Sequence, residues 1–484
     1  MTRRVFRILM VVALVVATVA TSCSREETDH LKVPSKSILV PMPGASGTTS
    51  FDSSNITSIV PTSVPKGWSV DKIDMYASTI TVTAPSSFDD EEVESGKLTL
   101  TAYTPTGNTT SVSIFLAIVP DEVDYTSAPA NCYVASLPAT RYKFDPMRGG
   151  NGDIALATAK VKVLWQTSDE LIKYLDMRDG SVTFYLEPVV DENDTSKATV
   201  EPGNAVIGAY DANDELIWSW HIWVTNNDPT AAENTIELGG QTLMNHNLGA
   251  DTNSNGAKDH EAILRSYGLY YQWGRKEPML GPNDWNFVQN YDDVIYNENG
   301  VNLTLGYVDS KEGGSVAWST ANPLNIILGN PDNAYDWLYD GHDDTLWSAD
   351  IKSNYDPCPA GWHVPSSDIF ALLTIAAADD AMAWEEAQPM YGWMLEDTTT
   401  GASHFFSAAG RRNYLDGRLD NMNVNETLPV PWSGYYWSAT PSGDDASALY
   451  FNLNTDTRST WNGIDTSRAM HRANALPVRC VKAK

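Results

Sequence analysis

The chain has 484 residues, of which 42% are hydrophobic, and its formal net charge is −30. That hydrophobic content is enough to form packed cores, so the composition excludes a disordered chain, and the length predicts two to four domains. The negative charge opposes binding to nucleic acid, because phosphates are bound through Lys and Arg, and it opposes electrostatic adhesion to an anionic membrane. Solubility outside the cell is the simplest interpretation of the charge, and collective Ca²⁺ binding is the alternative.

Residues 1–22 have the pattern of a lipoprotein export signal. Three early arginines precede an apolar core from Ile8 to Ala20, which is too short for a comfortable membrane span. The sequence Ala-Thr-Ser-Cys at residues 20–23 resembles a lipobox, which implies cleavage before Cys23 and acylation of that cysteine. Acidic residues soon after it resemble the export signal of surface lipoproteins in gut anaerobes. We therefore expect a lipid anchor in the outer membrane and exposure at the cell surface; the alternative is a cleaved secretory peptide with an incidental Cys23.

Two β-rich segments follow a polar tether at residues 23–35. Residues 36–120 contain runs of alternating hydrophobicity, such as Thr79–Thr83, which predict an immunoglobulin-like β-sandwich with a faint similarity to BACON-type modules. Residues 121–225 predict a second β-sandwich-like domain. Its strand Leu216–Val224 has apolar side chains on both faces, so we expect this strand to be central and buried. A linker is predicted at residues 226–235.

The C-terminal half carries four ordered motifs, namely Tyr267–Gly274, Cys358–Pro365, Tyr435–Pro441 followed by Ala448–Phe451, and Val478–Val481. Together they resemble the Fibrobacter succinogenes major paralogous domain. The resemblance implies an α+β, C-type-lectin-like fold for residues 236–484 and no firmly established activity. More weakly, Ala130–Val134 together with Trp218–Trp223 looks like a module often found ahead of the same domain. After the second motif, Ser366 is predicted to cap a helix with an apolar face made of Ile369, Leu372, Leu373 and Ala376.

The four cysteines are expected to have three different states. Cys23 is the predicted lipidation site. Cys358 and Cys480 occupy the positions that frame the family's domain, and an oxidising cell envelope favours a disulfide between them. Cys132 then has no obvious partner, and a buried thiol is its expected state.

The segment from residue 251 to residue 259 resembles a calcium-binding loop. Asp251, Asn253, Asn255 and Asp259 place side-chain oxygens at roughly alternate positions around a glycine, as a hard cation requires. The final bidentate Glu of such loops is absent, since Ala262 holds that position. Ca²⁺ is the one cofactor that the sequence predicts, and a polar Asn/Gly turn is the alternative.

Long loops rich in Asn, Asp and Gly are predicted between residues 281 and 347, and such loops on a rigid scaffold are where binding sites usually lie. The chain also has 16 Trp and 22 Tyr, whose rings can stack on sugars as well as fill β-sheet cores. Most of these rings are expected to fill cores, and a few exposed ones to form a binding platform. The candidate ligand-binding residues, which would make an open aromatic cleft, are Tyr270, Trp285, Trp337 and Trp461.

The sequence favours binding over catalysis. It contains no His-Glu-x-x-His, Gly-x-Ser-x-Gly or phosphate-loop motif, so we do not expect an enzyme. The preferred function is an adhesin or recognition module for glycan or protein ligands. Two alternatives from other classes are a structural or tip subunit of a fimbria-like surface assembly, and a glycan-active hydrolase with a carboxylate pair that meets only in the fold.

Overall fold

The computed structural model describes residues 29–86, 94–119, 121–178, 180–191, 194–282, 295–376, 381–420, 433–453 and 463–484. The export signal, Cys23, Trp285 and Trp461 lie outside these residues. The described residues are mostly β and form several sheets. They belong to two compact units, one that ends at Val119 and one that runs from residue 120 to Lys484.

The first unit is an all-β unit with two principal sheets. Its strands are β1 His30–Lys32, β2 Ser37–Val40, β3 Ser46–Ser50, β4 Asp52–Ser54, β5 Ser58–Ser63, β6 Ser69–Asp74, β7 Thr79–Thr83, β8 Ser95–Tyr103 and β9 Thr109–Ile118. One sheet has the order β2-β9-β8-β5, the other has the order β3-β7-β6, and β1 pairs with β4. Alternate side chains of β7 and β8, including Ile80, Val82, Leu98 and Leu100, are fully buried in one core. The predicted alternation in this segment is confirmed.

The first part of the second unit, residues 121–224, is built from twelve strands. They are β10 Asp121–Asp124, β11 Cys132–Ala135, β12 Thr140–Phe144, β13 Arg148–Gly149, β14 Ile154–Ala155, β15 Lys160–Gln166, β16 Lys173–Arg178, β17 Ser181–Leu186, β18 Val189–Asp191, β19 Asp194–Thr199, β20 Gly203–Tyr210 and β21 Leu216–Val224. Two of its sheets have the orders β10-β12-β17-β16 and β11-β21-β20-β15, and the second continues into strands from later in the chain. The weakly recognised motifs at residues 130–134 and 218–223 meet here, because β11 pairs in parallel with the end of β21.

Most of the remaining strands described in the second unit are short, and the longest, Ser433–Ser442, has ten residues. They are β22 Thr235–Leu238, β23 Gln241–Met244, β24 Tyr271–Gln272, β25 Ile295–Tyr296, β26 Asn302–Leu303, β27 Gly306–Asp309, β28 Asn325–Leu328, β29 Trp362–His363, β30 Leu373–Thr374, β31 Gly392–Asp397, β32 Ser403–Ser407, β33 Arg411–Arg412, β34 Leu419–Asp420, β35 Ser433–Ser442, β36 Asp445–Asn452, β37 Ile464–Met470, β38 Ala475–Leu476 and β39 Val481–Lys482. They form sheets with the orders β22-β23-β39-β29, β24-β38-β33-β34, β30-β31-β32, β35-β36-β37 and β27-β28, while β25 and β26 extend the sheet that contains β21.

The α-helices of the described residues are α1 His260–Arg265, α2 Ser310–Gly313, α3 Val316–Ala321, α4 Ser367–Phe370 and α5 Ala381–Ala387. Ser366 caps α4 as predicted and accepts a hydrogen bond from the Asp368 amide at 3.2 Å. The helix is much shorter than the sequence predicts, since Leu373 and Thr374 leave it to pair with β31. Three short 3₁₀ segments occur at Ala232–Asn234, Pro331–Asn333 and Gln388–Met390. None of the described helices has the length and apolar character needed to cross a bilayer.

Strand β21 is buried on both faces because a different core covers each face. Trp218, Trp220 and Ile222 belong to the core of the two sheets described for residues 121–224. Trp223, on the opposite face, packs against residues from the C-terminal half of the chain. Its indole Nε1 donates a hydrogen bond of 2.9 Å to the carbonyl of Ala250. The predicted central position of this strand is confirmed. The sequence did not predict that the C-terminal half of the chain covers its second face.

The chain does not divide into separate domains at the linker predicted for residues 226–235. Lys276 Nζ donates hydrogen bonds to the carbonyl and the hydroxyl of Ser219, at 3.1 and 2.8 Å, and lies 4.3 Å from the ring centroid of Trp218. Strand β15 also pairs with β25 through Gln166 and Tyr296. Because a buried lysine and a shared sheet connect the two segments, the predicted second β domain and the predicted C-terminal domain form one unit.

The four C-terminal motifs converge on the same core. Strand β24 pairs with β38, strand β35 pairs with β36, and Trp437 Nε1 donates to the carbonyl of Tyr271 at 2.8 Å. Trp362, from the second motif, packs in this core together with both framing cysteines. The motifs that carry the family resemblance are therefore mainly parts of the packed interior.

Candidate functional site

Two of the predicted ligand-binding aromatic residues are interior side chains. Tyr270 is fully buried, and its hydroxyl donates to the carbonyl of Ala409. Trp337 is 1% exposed, and its Nε1 donates to the carbonyl of Trp273 at 2.7 Å. The prediction of an open aromatic cleft at these two positions is wrong, because their rings fill the core and their polar atoms are satisfied by backbone carbonyls. The other two candidates, Trp285 and Trp461, lie outside the described residues.

The carboxylates of the predicted calcium loop are engaged by the protein itself. Asp251 is 7% exposed and accepts hydrogen bonds from the Thr225 hydroxyl at 2.9 Å and from the Asn226 amide at 3.2 Å, and it forms an ion pair with Arg265. Asp259 caps α1 by accepting from the amide of Ala262. Asn253 and Asn255 lie in the connecting turn, where the Asn255 amide donates to the Asn253 carbonyl. The loop therefore has a structural role here and does not assemble the predicted oxygen cage.

The cysteines of the second unit lie close to one another in the fold. Cys358 and Cys480 form a disulfide, with their Cα atoms 5.9 Å apart. Cys132 is a buried free thiol whose strand forms a bridge with Pro359, next to the disulfide. Burial raises the pKa of the Cys132 thiol far above its ordinary value, so it stays protonated and is not a nucleophile at neutral pH.

Three half-buried rings meet where three loops of the second unit come together. Tyr335 and Tyr414 lie with ring centroids 5.0 Å apart, and His471 lies 4.6 Å from Tyr414 and 5.0 Å from Tyr335. Beside them, Leu415 is 54% exposed. We call this group of rings, with the charged side chains around it described below, the Tyr414 site.

Carboxylates surround the rings of the Tyr414 site. His471 Nδ1 hydrogen-bonds to the Asp445 carboxylate at 2.7 Å. His342 lies between two carboxylates, with Nδ1 2.7 Å from Asp336 and Nε2 3.2 Å from the exposed Asp444. Burial raises the pKa of Asp336, and its hydrogen bond with His342 opposes that shift. Across the described residues, no group of three or more His, Cys, Asp and Glu side chains has the geometry to hold a metal ion.

The buried side chain of Arg472 connects the loops of the Tyr414 site. It is 1% exposed, and its guanidinium lies 4.4 Å from the ring centroid of Trp273. Nη2 pairs with Asp344, Nε donates to the Asp445 carbonyl at 3.2 Å, and Nε lies 3.9 Å from the Asp336 carboxylate. Its Nη1 is buried and makes no hydrogen bond among the described residues. One buried cation thus holds together segments that lie far apart in the sequence.

The backbone around Tyr335 is fixed by local sequence. A 3₁₀ segment capped by Asn330 ends at Asn333, and the next two residues, Ala334 and Tyr335, have left-handed backbone angles, with φ of 48° and 60°. Left-handed residues other than Gly are uncommon and tend to persist where the surroundings determine them. A Cβ added at Gly329 would lie 2.7 Å from the Tyr335 carbonyl, so only glycine allows this close approach. The Gly329 amide also donates to the Tyr414 carbonyl at 2.8 Å, which links two of the loops.

The Tyr414 site was not predicted from the sequence. Its members come from turns separated by up to about 140 residues, and none of them belongs to a catalytic or metal-binding spacing. The acidic, glycine-containing segment at residues 340–344, which contributes His342 and Asp344, was the one available sequence signal. Loops of this composition on a β scaffold are frequent locations of binding residues.

Comparisons with known proteins do not assign the chain to a family. No protein-family model matches it, and no curated protein matches it. Among solved structures, the D00-D0 domain of Intimin aligns with 40% of this chain and 95% of its own, at 12% identity and a TM-score of 0.18. SporoSAG from Toxoplasma gondii aligns with 39% of this chain and 95% of its own, at 9% identity and a TM-score of 0.15. The Bacteroides ovatus SGBP-B, solved with a mixed-linkage heptasaccharide, aligns with 42% of this chain and 46% of its own, at 10% identity and a TM-score of 0.12. Similarities this low assign neither a fold nor a function.

Proposed function

We propose that this protein is a surface-exposed lipoprotein that binds glycans through the Tyr414 site. The observation that carries the proposal is the meeting of partly exposed aromatic rings with fixed carboxylates in loops held together by the buried Arg472. Ligand sites combine apolar and aromatic surface with a few fixed polar groups, and the Tyr414 site has both.

Sugars present the two kinds of surface that such a site complements. The C–H face of a pyranose ring is apolar and can lie against Tyr335 or Tyr414, while its hydroxyl groups donate hydrogen bonds to carboxylates such as Asp445. The polar groups are already oriented, because His471 holds Asp445 and His342 holds Asp336. A preorganised site loses less conformational freedom on binding, which favours affinity.

The same hydrogen bonds favour binding over catalysis. A glycoside hydrolase uses one carboxyl group as an acid and another as a nucleophile or base. In the Tyr414 site, Asp336 and Asp445 are each held by a histidine, and Asp344 is paired with Arg472. These contacts favour a role in orientation and hydrogen bonding, and we therefore propose that the protein is not an enzyme.

The location of the protein is part of the proposal. Acylation of Cys23 would anchor the chain to the outer membrane, and the acidic residues that follow would direct it to the cell surface. Residues 236–484 would be a divergent member of the major paralogous domain family, with the C-type-lectin-like fold that the four motifs imply. The ligand would be a glycan outside the cell.

A glycan array probed with the full chain tests the proposal. We expect at least one class of glycan to bind, and we expect Tyr414→Ala to reduce its affinity about fivefold, since an aromatic contact contributes roughly 1 kcal/mol beyond burial. Asp445→Asn should also weaken binding, because it removes a charged acceptor beside the rings. The matched control is Tyr76→Ala, which removes a fully exposed tyrosine of the first unit.

Three results would contradict the proposal. The first is no binding to any glycan by a folded protein. The second is glycan binding that Tyr414→Ala and Asp445→Asn leave at the level of the Tyr76→Ala control, which would place the site elsewhere. The third is release of shortened products when the same glycans are incubated with the protein, which would support a hydrolase.

A further inference from the structure

A cavity of ≈ 460 Å³ lies in the second unit, apart from the Tyr414 site. It is formed where strands β10, β11 and β12 meet the turn that begins at Pro359, and Trp362 of the second motif is part of its wall. None of its fourteen lining residues belongs to the Tyr414 site. Its volume falls in the range of sites that bind small organic molecules, which is roughly 300–1,000 Å³.

Four aromatic residues line the cavity, namely Tyr125, Tyr133, Tyr142 and Trp362. The hydroxyl of Tyr125 donates to the Val134 carbonyl at 2.7 Å, and the hydroxyl of Tyr142 accepts from the Leu137 amide at the same distance. The ring of Tyr125 is stacked with those of Tyr133 and Tyr142, at centroid distances of 5.3 and 6.4 Å. The protein backbone already uses the polar ends of Tyr125 and Tyr142. Because Tyr133, Tyr142 and Trp362 are buried behind it, the half-buried ring of Tyr125 presents most of the aromatic surface of the wall.

The cavity carries one formal charge, and it is negative. Asp228 is the single acidic residue among the lining residues, which include no Lys, Arg or His. Its Oδ1 accepts from the amide and the hydroxyl of Thr230, at 2.9 and 2.7 Å, so the carboxylate is held in position. Arg141, next to the lining residue Tyr142 in strand β12, forms an ion pair with Glu122. An anionic ligand would meet repulsion here, and a cation would meet the Asp228 carboxylate and the ring of Tyr125.

We propose that this cavity binds an organic cation. The ligand would carry a substituted or quaternary ammonium group and would otherwise be apolar. A cation over an aromatic face is attracted by the negative face of the ring, most strongly where water is excluded, and the fixed carboxylate adds a further attraction. The net charge of the whole chain, −30, acts in the same direction by raising the local concentration of cations. The cavity therefore provides a second ligand site, for a cationic ligand class that differs from the glycans proposed for the Tyr414 site.

Two probes of equal shape separate the contribution of charge to binding from the contribution of size. Choline and 3,3-dimethylbutan-1-ol differ in a quaternary nitrogen against a quaternary carbon, and both can be titrated into the full chain by ligand-observed NMR or calorimetry. We expect choline to bind at least about fivefold more tightly, as cation–π attraction and one carboxylate require. Equal affinities, or no choline binding at tens of millimolar, would overturn the proposal.

Variants place the binding in the cavity. Asp228→Asn keeps the turn with Thr230 and should weaken choline binding about fivefold or more, whereas Asp211→Asn, at an exposed turn of the same kind, should not. Tyr125→Phe should retain choline binding because it keeps the ring, and Tyr125→Leu should lose it. Equal behaviour of the two Tyr125 variants would contradict cation–π recognition. Tyr414→Ala should leave choline binding unchanged, and a loss in that variant would show that choline binds in the glycan site instead.

Discussion

Acidification from about pH 7 to about pH 5 is expected to destabilise the second unit through two buried histidines. His221 is 2% exposed, with Nε2 2.8 Å from the Asn204 side-chain oxygen and Nδ1 3.5 Å from the Tyr271 hydroxyl. Burial lowers the pKa of His221 to about 3. His246 is 3% exposed, and burial together with the charge of Arg479 lowers its pKa to about 4. Both rings therefore stay neutral in the folded state at pH 5.

The size of the effect follows from proton linkage. In the unfolded chain each histidine titrates near its ordinary pKa of 6.5, so between pH 6.5 and the folded pKa the unfolded state binds more protons than the folded state. Stability is then present above pH 6.5 and is lost as the pH falls. At pH 5 the loss is about 2 kcal/mol for each histidine, from 1.36 kcal/mol per pH unit below 6.5, and about 4 kcal/mol for the two together.

Urea unfolding at the two pH values, followed by tryptophan fluorescence, measures this loss for the second unit. Titrating carboxylates also contribute to acid denaturation, so His221→Gln provides the specific comparison. The glutamine amide can still contact Asn204, and the variant should lose about 2 kcal/mol less than the wild type between pH 7 and pH 5. The control is His260→Gln, at an exposed position, which should lose as much as the wild type. A loss in His221→Gln equal to that of the wild type would refute the reasoning.

Replacing Cys358 and Cys480 together by serine should lower the melting temperature of the second unit by removing up to about 4–5 kcal/mol, because the bond spans a sequence separation of 122 residues. Calorimetry should show the transition of the first unit unchanged, and an equal shift in both units would contradict the assignment. Trp223→Ala should destabilise the second unit by about 3–5 kcal/mol, whereas the exposed Val301→Ala should change its stability by less than about 0.5 kcal/mol. Cys23→Ala should release the protein from the membrane fraction, and persistent membrane association in that variant would refute the lipid anchor.

Strand patterns and the states of Cys132, Cys358 and Cys480 were predictable from the sequence. Alternation over Thr79–Thr83 gives a strand with one buried face, and the two apolar faces of Leu216–Val224 require a central strand. Both features depend on the side-chain period of a strand, which is a local property. The buried thiol of Cys132 and the disulfide of Cys358 with Cys480 agree with the expectations from residue type, cell compartment and family resemblance.

The roles of the aromatic residues were not predictable in the same way. A tyrosine or tryptophan has the same chemistry whether it fills a core or faces a ligand, so the sequence could not tell that Tyr270 and Trp337 are interior while Tyr335 and Tyr414 are partly exposed. Asp251 is a similar case. It has the spacing of a metal ligand, but the fold places Arg265 and Thr225 against its carboxylate.

The sequence by itself determined the β class of residues 36–225, the separation of the first unit near residue 120, and the elements that need two buried faces. Only the tertiary structure decided what covers those faces and which distant loops meet. Trp223 packs against the C-terminal half, so the predicted linker at residues 226–235 lies within one unit. Likewise, Arg472 joins Asp336, Asp344 and the Asp445 carbonyl only in the folded chain. Hydrophobic periodicity is set by each element's own geometry, whereas contacts across more than a hundred residues depend on how all the elements pack together.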